Sequence, residues 1–98
     1  MKRRLSPVIS AEAQEIGNNI SLYRRMSRIP LAQLAERANI SADTLSRLER
    51  GDAGVSIGAV LSVCRVLGLD SFIIKATEPS NTAYGRAQLQ AGGPQRVR

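Results

Sequence analysis

The chain has no histidine, no tryptophan and a single cysteine, Cys64, among its 98 residues. One cysteine excludes an intramolecular disulfide, and without histidine no transition-metal constellation can be assembled. The only aromatic residues are Tyr23, Phe72 and Tyr84, which leaves the core to Leu, Ile, Val and Ala, the material of a small helical bundle. A core this thin often leans on dimerisation. No run approaches the roughly 18 apolar residues of a membrane span. The opening "MKRRLSPVIS" starts like a secretory leader, but Ser6, Pro7 and Ser10 interrupt what would be its apolar stretch. No nucleophile–base pair, paired-carboxylate site or glycine-rich phosphate loop after a strand is present. The expectation is a cytoplasmic protein that is not an enzyme, uses no cofactor or metal and touches no membrane.

What the chain has in quantity is arginine. Fourteen Lys and Arg against eight Asp and Glu leave a net charge of +6, and only Lys75 stands apart from any arginine. Guanidinium forks bind phosphates and planar carboxylates bidentately, so the balance points to nucleic acid, an acidic protein, or both. The charge is unevenly placed. Lys2, Arg3 and Arg4 fall in residues 1–9 and Arg86, Arg96 and Arg98 in residues 81–98, while the middle is close to neutral. Both ends lack apolar periodicity, and "QAGGPQRVR" has the Gly and Pro of flexible backbone. An all-α chain of three segments follows: a basic N-terminal arm over residues 1–10, a folded domain over residues 11–77 and a flexible basic tail over residues 78–98.

Within the domain, Ile16, Ile20 and Tyr23, widened by Leu22 and Met26, predict a helix over residues 11–27. Arg24, Arg25 and Arg28 crowd its end, where they suit the negative pole of the helix dipole or reach phosphate. Pro30 separates it from "LAQLAERA", whose Leu31, Leu34, Ala35 and Ala38 keep helical spacing. Asn39 ends that helix, because asparagine tolerates the left-handed conformation. Ser41 caps the next one, with Leu45 and Leu48 on its buried side. Ser56 caps a fourth, with Ile57, Val60, Leu61, Cys64 and Leu67 on one face and Gly68 at its end. Cys64 reads as a small buried hydrophobe. Leu69, Phe72, Ile73 and Ala76 share one face of a fifth helix, although "FIIKAT" would also make a short strand. Side chains this apolar either close the core or pair with a second subunit.

The stretch "LAQLAERANISADTLSRLER", residues 31–50, meets the geometric demands of a helix-turn-helix. Ala35 is small where the second helix crosses, Asn39 allows the turn, Ile40, Leu45 and Leu48 pack beneath it, and one face of the second helix stays open. At these residues, with "VSIGAVLSVCRVLGL" following, the chain resembles the XRE family of helix-turn-helix regulators, to which Cro and lambda repressor belong. The likeness spans about residues 16–76. It implies a small five-helix lambda-repressor-like DNA-binding domain with flexible basic termini. It also implies a homodimer on double-stranded operator DNA, usually acting as a repressor.

The same resemblance places Ser41, Ala42, Asp43, Ser46 and Arg47 at the bases. Arg47 would fork onto guanine, Asp43 accept from cytosine and Ala42 touch a thymine methyl. The plainer alternative for Asp43 is a first-turn acid favoured by the dipole. For Arg47 it is a phosphate contact or an ion pair to Asp43 four residues earlier. Arg24, Arg25, Arg28, Gln33, Thr44 and Arg50 are expected beside phosphates, and Leu69, Phe72, Ile73, Ile74 and Tyr84 at a dimer or partner surface. Family members often have Ser or Thr and then Gln where this chain has Pro30 and Leu31, and Gln where it has Ala42. Gln33 is the substitute for the first glutamine, and the operator does not transfer from relatives. "RLERGDAGVSIGAVLSVCRVLGLD" and "GRAQLQAGGPQRVR" further resemble HipB-type antitoxins, which neutralise a HipA-like kinase toxin and repress their own operon. A competing reading is a module that mainly restrains a partner protein through the polar tail, with Tyr84, Leu89 and Val97 as anchors.

Overall fold

The computed structural model describes residues 5–94. Lys2, Arg3, Arg4, Arg96 and Arg98, and the tail anchor Val97, lie outside the described residues. Among those described, the helices are α1 (Pro7–Met26), α2 (Leu31–Arg37), α3 (Ala42–Glu49), α4 (Ile57–Leu67), α5 (Asp70–Ala76) and α6 (Ala83–Gln90), with a single 3-10 turn (Pro79–Asn81) before the last. The count is therefore six where five were expected, and the additional helix lies in the stretch read as flexible tail. One compact unit ends at Gly68 and a second begins at Leu69.

In the first unit, α1 starts earlier than the periodicity suggests. Ser6 Oγ accepts from the Ile9 N–H at 3.2 Å, and Pro7 occupies the first turn, where its fixed φ and missing N–H cost nothing. The helices α1, α2 and α3 then end in one common way. Arg28 (φ 58), Asn39 (φ 58) and Gly51 (φ 86) are left-handed. After each, the next N–H reaches back: Ile29 to Arg24 O (3.2 Å), Ile40 to Ala35 O (3.0 Å) and Asp52 to Arg47 O (3.0 Å). This is the Schellman closure, which satisfies carbonyls the helix leaves over. Asn39 behaves as expected. Ser41 and Ser56 also cap as expected, accepting from the N–H groups of Thr44 (3.0 Å) and Ala59 (3.1 Å).

The core consists of Ile20, Leu34, Ala35, Ala38, Leu45, Leu48, Ala59, Val63 and Cys64, with Leu34, Leu45 and Val63 wholly enclosed. On α1 the buried face differs from the apolar stripe. Ile16, Leu22, Tyr23 and Met26 are exposed, and the inward side runs instead through Ala13, Gly17, Ile20 and Arg24. The reason is a close crossing. A Cβ on Gly17 would collide with the Leu48 carbonyl oxygen and lie 2.8 Å from that of Glu49, so α1 can approach α3 only where it has no side chain. Ile57, counted on the apolar face of α4, is also exposed.

In the second unit, residues 70–76 are helical rather than a strand, and α5 buries none of its residues. Phe72 is 63% and Ile74 57% exposed. The tail folds as well. Thr82 Oγ1 caps α6 by accepting from the Gly85 N–H at 2.9 Å, and Arg86 Nη1 donates to Ser80 O at 3.0 Å. Gly85 is buried against Pro79, where a Cβ would sit 2.6 Å from the Pro79 carbonyl carbon. Having no side chain, Gly85 allows α6 to pack directly on the turn.

Two glycine substitutions should therefore move stability in opposite directions. Gly17→Ala should lose about 1–3 kcal/mol to overpacking. Gly58→Ala, whose new Cβ meets nothing nearer than Ser56 Oγ at 3.9 Å, should gain about 0.5–1 kcal/mol. Thermal unfolding followed by circular dichroism separates them.

Candidate nucleic-acid interface

Helix α3 turns Leu45 and Leu48 into the core. At 3.6 residues per turn, Ala42, Asp43, Ser46, Arg47 and the C-cap Arg50 then share the opposite flank. Ser41, Ala42 and Asp43 are exposed, and Ser46 and Arg47 are half-buried. All of the expected base readers thus lie on one element, and none is enclosed in the core. Thr44 sits at the edge of this flank, its hydroxyl 2.8 Å from Ser41 Oγ. Asp43 occupies the first turn of α3, where a carboxylate is favoured by the dipole.

Arg47 does form an ion pair, but with Asp52 instead of Asp43. Its Nε donates to Asp52 Oδ2 at 2.8 Å, and the two side chains are 40% and 41% exposed. This hydrogen bond and the charge of Asp52 hold the guanidinium above its ordinary pKa range, with a smaller push from Asp43. Asp52 also accepts from the Gly54 N–H through Oδ1 at 2.8 Å. Arg50 Nη1 donates to Ser46 Oγ, so the hydroxyl expected at a base is held by a neighbour on its own face.

Arg24, expected beside phosphate, is instead engaged inside the fold. Nε donates to Glu49 Oε2 (2.7 Å), Nη2 to Glu49 Oε1 (3.1 Å) and Nη1 to Ile29 O (2.9 Å). The Arg24 and Glu49 side chains are only 12% and 9% exposed. The hydrogen bond to Glu49 raises the Arg24 pKa against the lowering effect of burial, and the carboxylate's charge adds to the rise. Arg25, Arg28 and Gln33 are exposed, and the start of α2 has no side-chain cap. Of the expected dimer or partner residues, Phe72, Ile74 and Tyr84 are exposed while Leu69 and Ile73 are half-buried, all in the second unit.

Sequence reasoning passed over Glu49 and Asp52. An acid just beyond a helix end, one turn from an arginine, was the available signal for Asp52.

Two short helices joined through a left-handed asparagine, the second braced from behind and open in front, define a helix-turn-helix, the class of DNA-binding domain that presents a helix to the major groove. Comparison with protein families agrees: residues 15–71, more than half of the chain, match the helix-turn-helix domain, and the protein belongs to that family. Comparisons with curated proteins and with solved structures give no match. Among the described residues no helix is long and apolar enough to cross a membrane, and no cluster of His, Cys, Asp or Glu is placed to hold a metal ion.

Glu49→Ala leaves the Arg24 guanidinium shielded and without its partner, and should cost about 1–3 kcal/mol. Replacing both residues, Arg24→Met with Glu49→Leu, should recover most of the loss, because an apolar pair of similar volume substitutes well for a shielded ion pair. Urea midpoints for the single and double variants measure this.

Proposed function

We propose that the protein is a sequence-specific transcriptional regulator that lays α3 in the major groove and represses, as a cytoplasmic homodimer, from a double-stranded operator. The observation that carries this reading is the open flank of α3. It offers Arg47 for guanine, Asp43 for cytosine, Ala42 for a thymine methyl, and the hydroxyls of Ser41 and Ser46. Arg25, Arg28, Gln33, Thr44 and Arg50 border the flank in sequence and take the phosphates. Phe72 and Ile74 on α5, with Tyr84 on α6, supply the dimer surface, since apolar side chains this exposed gain by pairing.

The finer assignment is an autoregulating antitoxin whose partner is a HipA-like kinase toxin. It is supported by the resemblance of the run after Gly51 and of the closing residues to HipB-type antitoxins. One observation favours a second reading, in which restraining a partner protein is the main task and DNA binding is secondary. The 3-10 turn and α6 fold together and leave Tyr84 and Leu89 exposed, a surface already shaped for a protein.

A mobility-shift titration with the DNA upstream of the protein's own gene should give binding that random duplex competes poorly. Equal binding to both would remove sequence-specific regulation. The affinity should fall with salt at a slope of about 0.9 per phosphate contacted. Arg47→Ala should cost about 1–3 kcal/mol and relax preference at one base pair. For the dimer, Phe72→Asp combined with Ile74→Asp should sediment as a monomer and lose the operator. A variant that stays dimeric would exclude α5 as the dimer surface. If it keeps the operator yet loses the kinase in co-purification, the partner-binding reading takes precedence.

A further inference from the structure

If Arg47 meets a base edge, as proposed above, its ion pair with Asp52 has a second consequence. A solvent-facing arginine samples many rotamers, and a base contact must select one of them. Here Nε is committed to Asp52 Oδ2 at 2.8 Å. That bond fixes the side edge of the guanidinium and leaves the end edge, Nη1 and Nη2, for a second pair of acceptors. Two parallel N–H groups on that edge match O6 and N7 of guanine.

Asp52 is itself held from several sides. Its N–H donates to Arg47 O at 3.0 Å, and its Oδ1 accepts from the Gly54 N–H at 2.8 Å. Gly51, immediately before it, is left-handed (φ 86) and lies so close to α1 that a Cβ would come within 2.5 Å of Gln14 Cα. The carboxylate is therefore placed by the packing of α1 against the end of α3. Its charge also offsets that of Arg47 toward the phosphate backbone, which weakens the arginine as a general phosphate contact and leaves its geometry as the useful property.

We infer that Asp52 is a specificity-determining positioning residue, which holds Arg47 for bidentate contact with one guanine in each half-site.

The test begins with selection by the full-length protein from a randomised duplex pool, which defines its preferred site. Arg47→Ala, Asp52→Asn and the double variant are then put through the same selection and titrated against the selected duplex and a random one. Asparagine at position 52 keeps an acceptor for the Gly54 N–H and turns its NH2 toward Arg47, where it cannot accept, so the loop is retained and the pair is lost. In Asp52→Asn the guanine preference at one position should fall about tenfold. The same position should flatten in Arg47→Ala, with no further loss in the double variant. Affinity for random duplex should hold or rise, because a negative charge has been removed. If Arg47→Ala flattens a position that Asp52→Asn leaves sharp, the positioning role is overturned while readout by Arg47 stands. If Arg47→Ala flattens no position, base readout by Arg47 fails first and the inference with it. A parallel loss of affinity for both duplexes in Asp52→Asn would mark a merely structural residue and overturn the inference as well.

Discussion

Helix α1 crosses the end of α3 at Gly17, so close that no side chain fits between that residue and the carbonyls of Leu48 and Glu49. One turn earlier on α1, Gln14 lies against Gly51, and two turns later Arg24 grips Glu49 with both prongs of its fork. A single contact would set only the distance between the two helices. Three contacts spread along α1 also set how far α3 is slid and how far it is rotated about its own axis. The rotation matters most, because it decides which of its residues face outward. An exposed ion pair would contribute little to this. The Arg24–Glu49 pair is shielded and two-pronged, and its geometry is correspondingly restrictive. On the proposed reading the flank meets base edges to within fractions of an ångström, and it would need such support from behind.

The path from α1 into α3 uses one turn twice. Ser27, Arg28, Ile29 and Pro30 repeat the backbone of Ala38, Asn39, Ile40 and Ser41: a helical C-cap, a left-handed residue, an isoleucine tucked half under the turn, and an extended N-cap. In both, the isoleucine N–H returns to the helix just left. The side chains that accompany the two turns differ sharply. The second has an asparagine suited to the left-handed region and a serine that caps α3. The first has an arginine there, at a cost of about 1–2 kcal/mol, and a proline that cannot cap with its side chain. Backbone geometry and closure bonds carry the first turn, and the core on either side keeps it in place.

This contrast explains what could be read from the sequence. Asn39, Ser41, Ser56 and Gly68 announce helix ends through residue chemistry alone, and the structure has them there. Leu34, Leu45, Leu48 and Cys64 belong to the core that helical spacing implies, and Ala59 and Val63 join them although the spacing did not single them out. The inward face of α1 was not legible in the same way. Its key members are a glycine chosen for lack of bulk and an arginine chosen for a distant carboxylate, and neither registers in an apolar count. Ile16 and Tyr23 do register, and they are exposed. In the tail, the expectation of flexible backbone rested on missing apolar periodicity and on the Gly and Pro of residues 90–98, while the contact of Gly85 with Pro79 is a relation no local rule detects. On α3 the outward position of Ser41, Ala42, Asp43, Ser46 and Arg47 was legible from the spacing of Leu45 and Leu48. The partners that restrain it, Glu49 and Asp52, were not, since their roles exist only once the helices have crossed.

The charges around α3 suggest how attraction and recognition would be divided on DNA. Residues 41–52 contain Asp43, Glu49 and Asp52 against only Arg47 and Arg50, so the segment around α3 is not itself a basic patch. Both arginines are also engaged, one by Asp52 and one by Ser46. The chain's net positive charge resides instead in residues 1–9 and 81–98, with the exposed Arg25, Arg28 and Arg37 within the domain itself. On the proposed reading, general attraction to the phosphate backbone belongs to those residues and does not depend on sequence. The acids on and beside α3 then act against loose binding. A carboxylate facing a phosphate is repelled, whereas Asp43 facing a cytosine amino group, with Arg47 on guanine, satisfies both charges. Misplaced registers are thus penalised by the groups that reward the correct one, and discrimination can be high even where the recognition helix adds little to overall affinity.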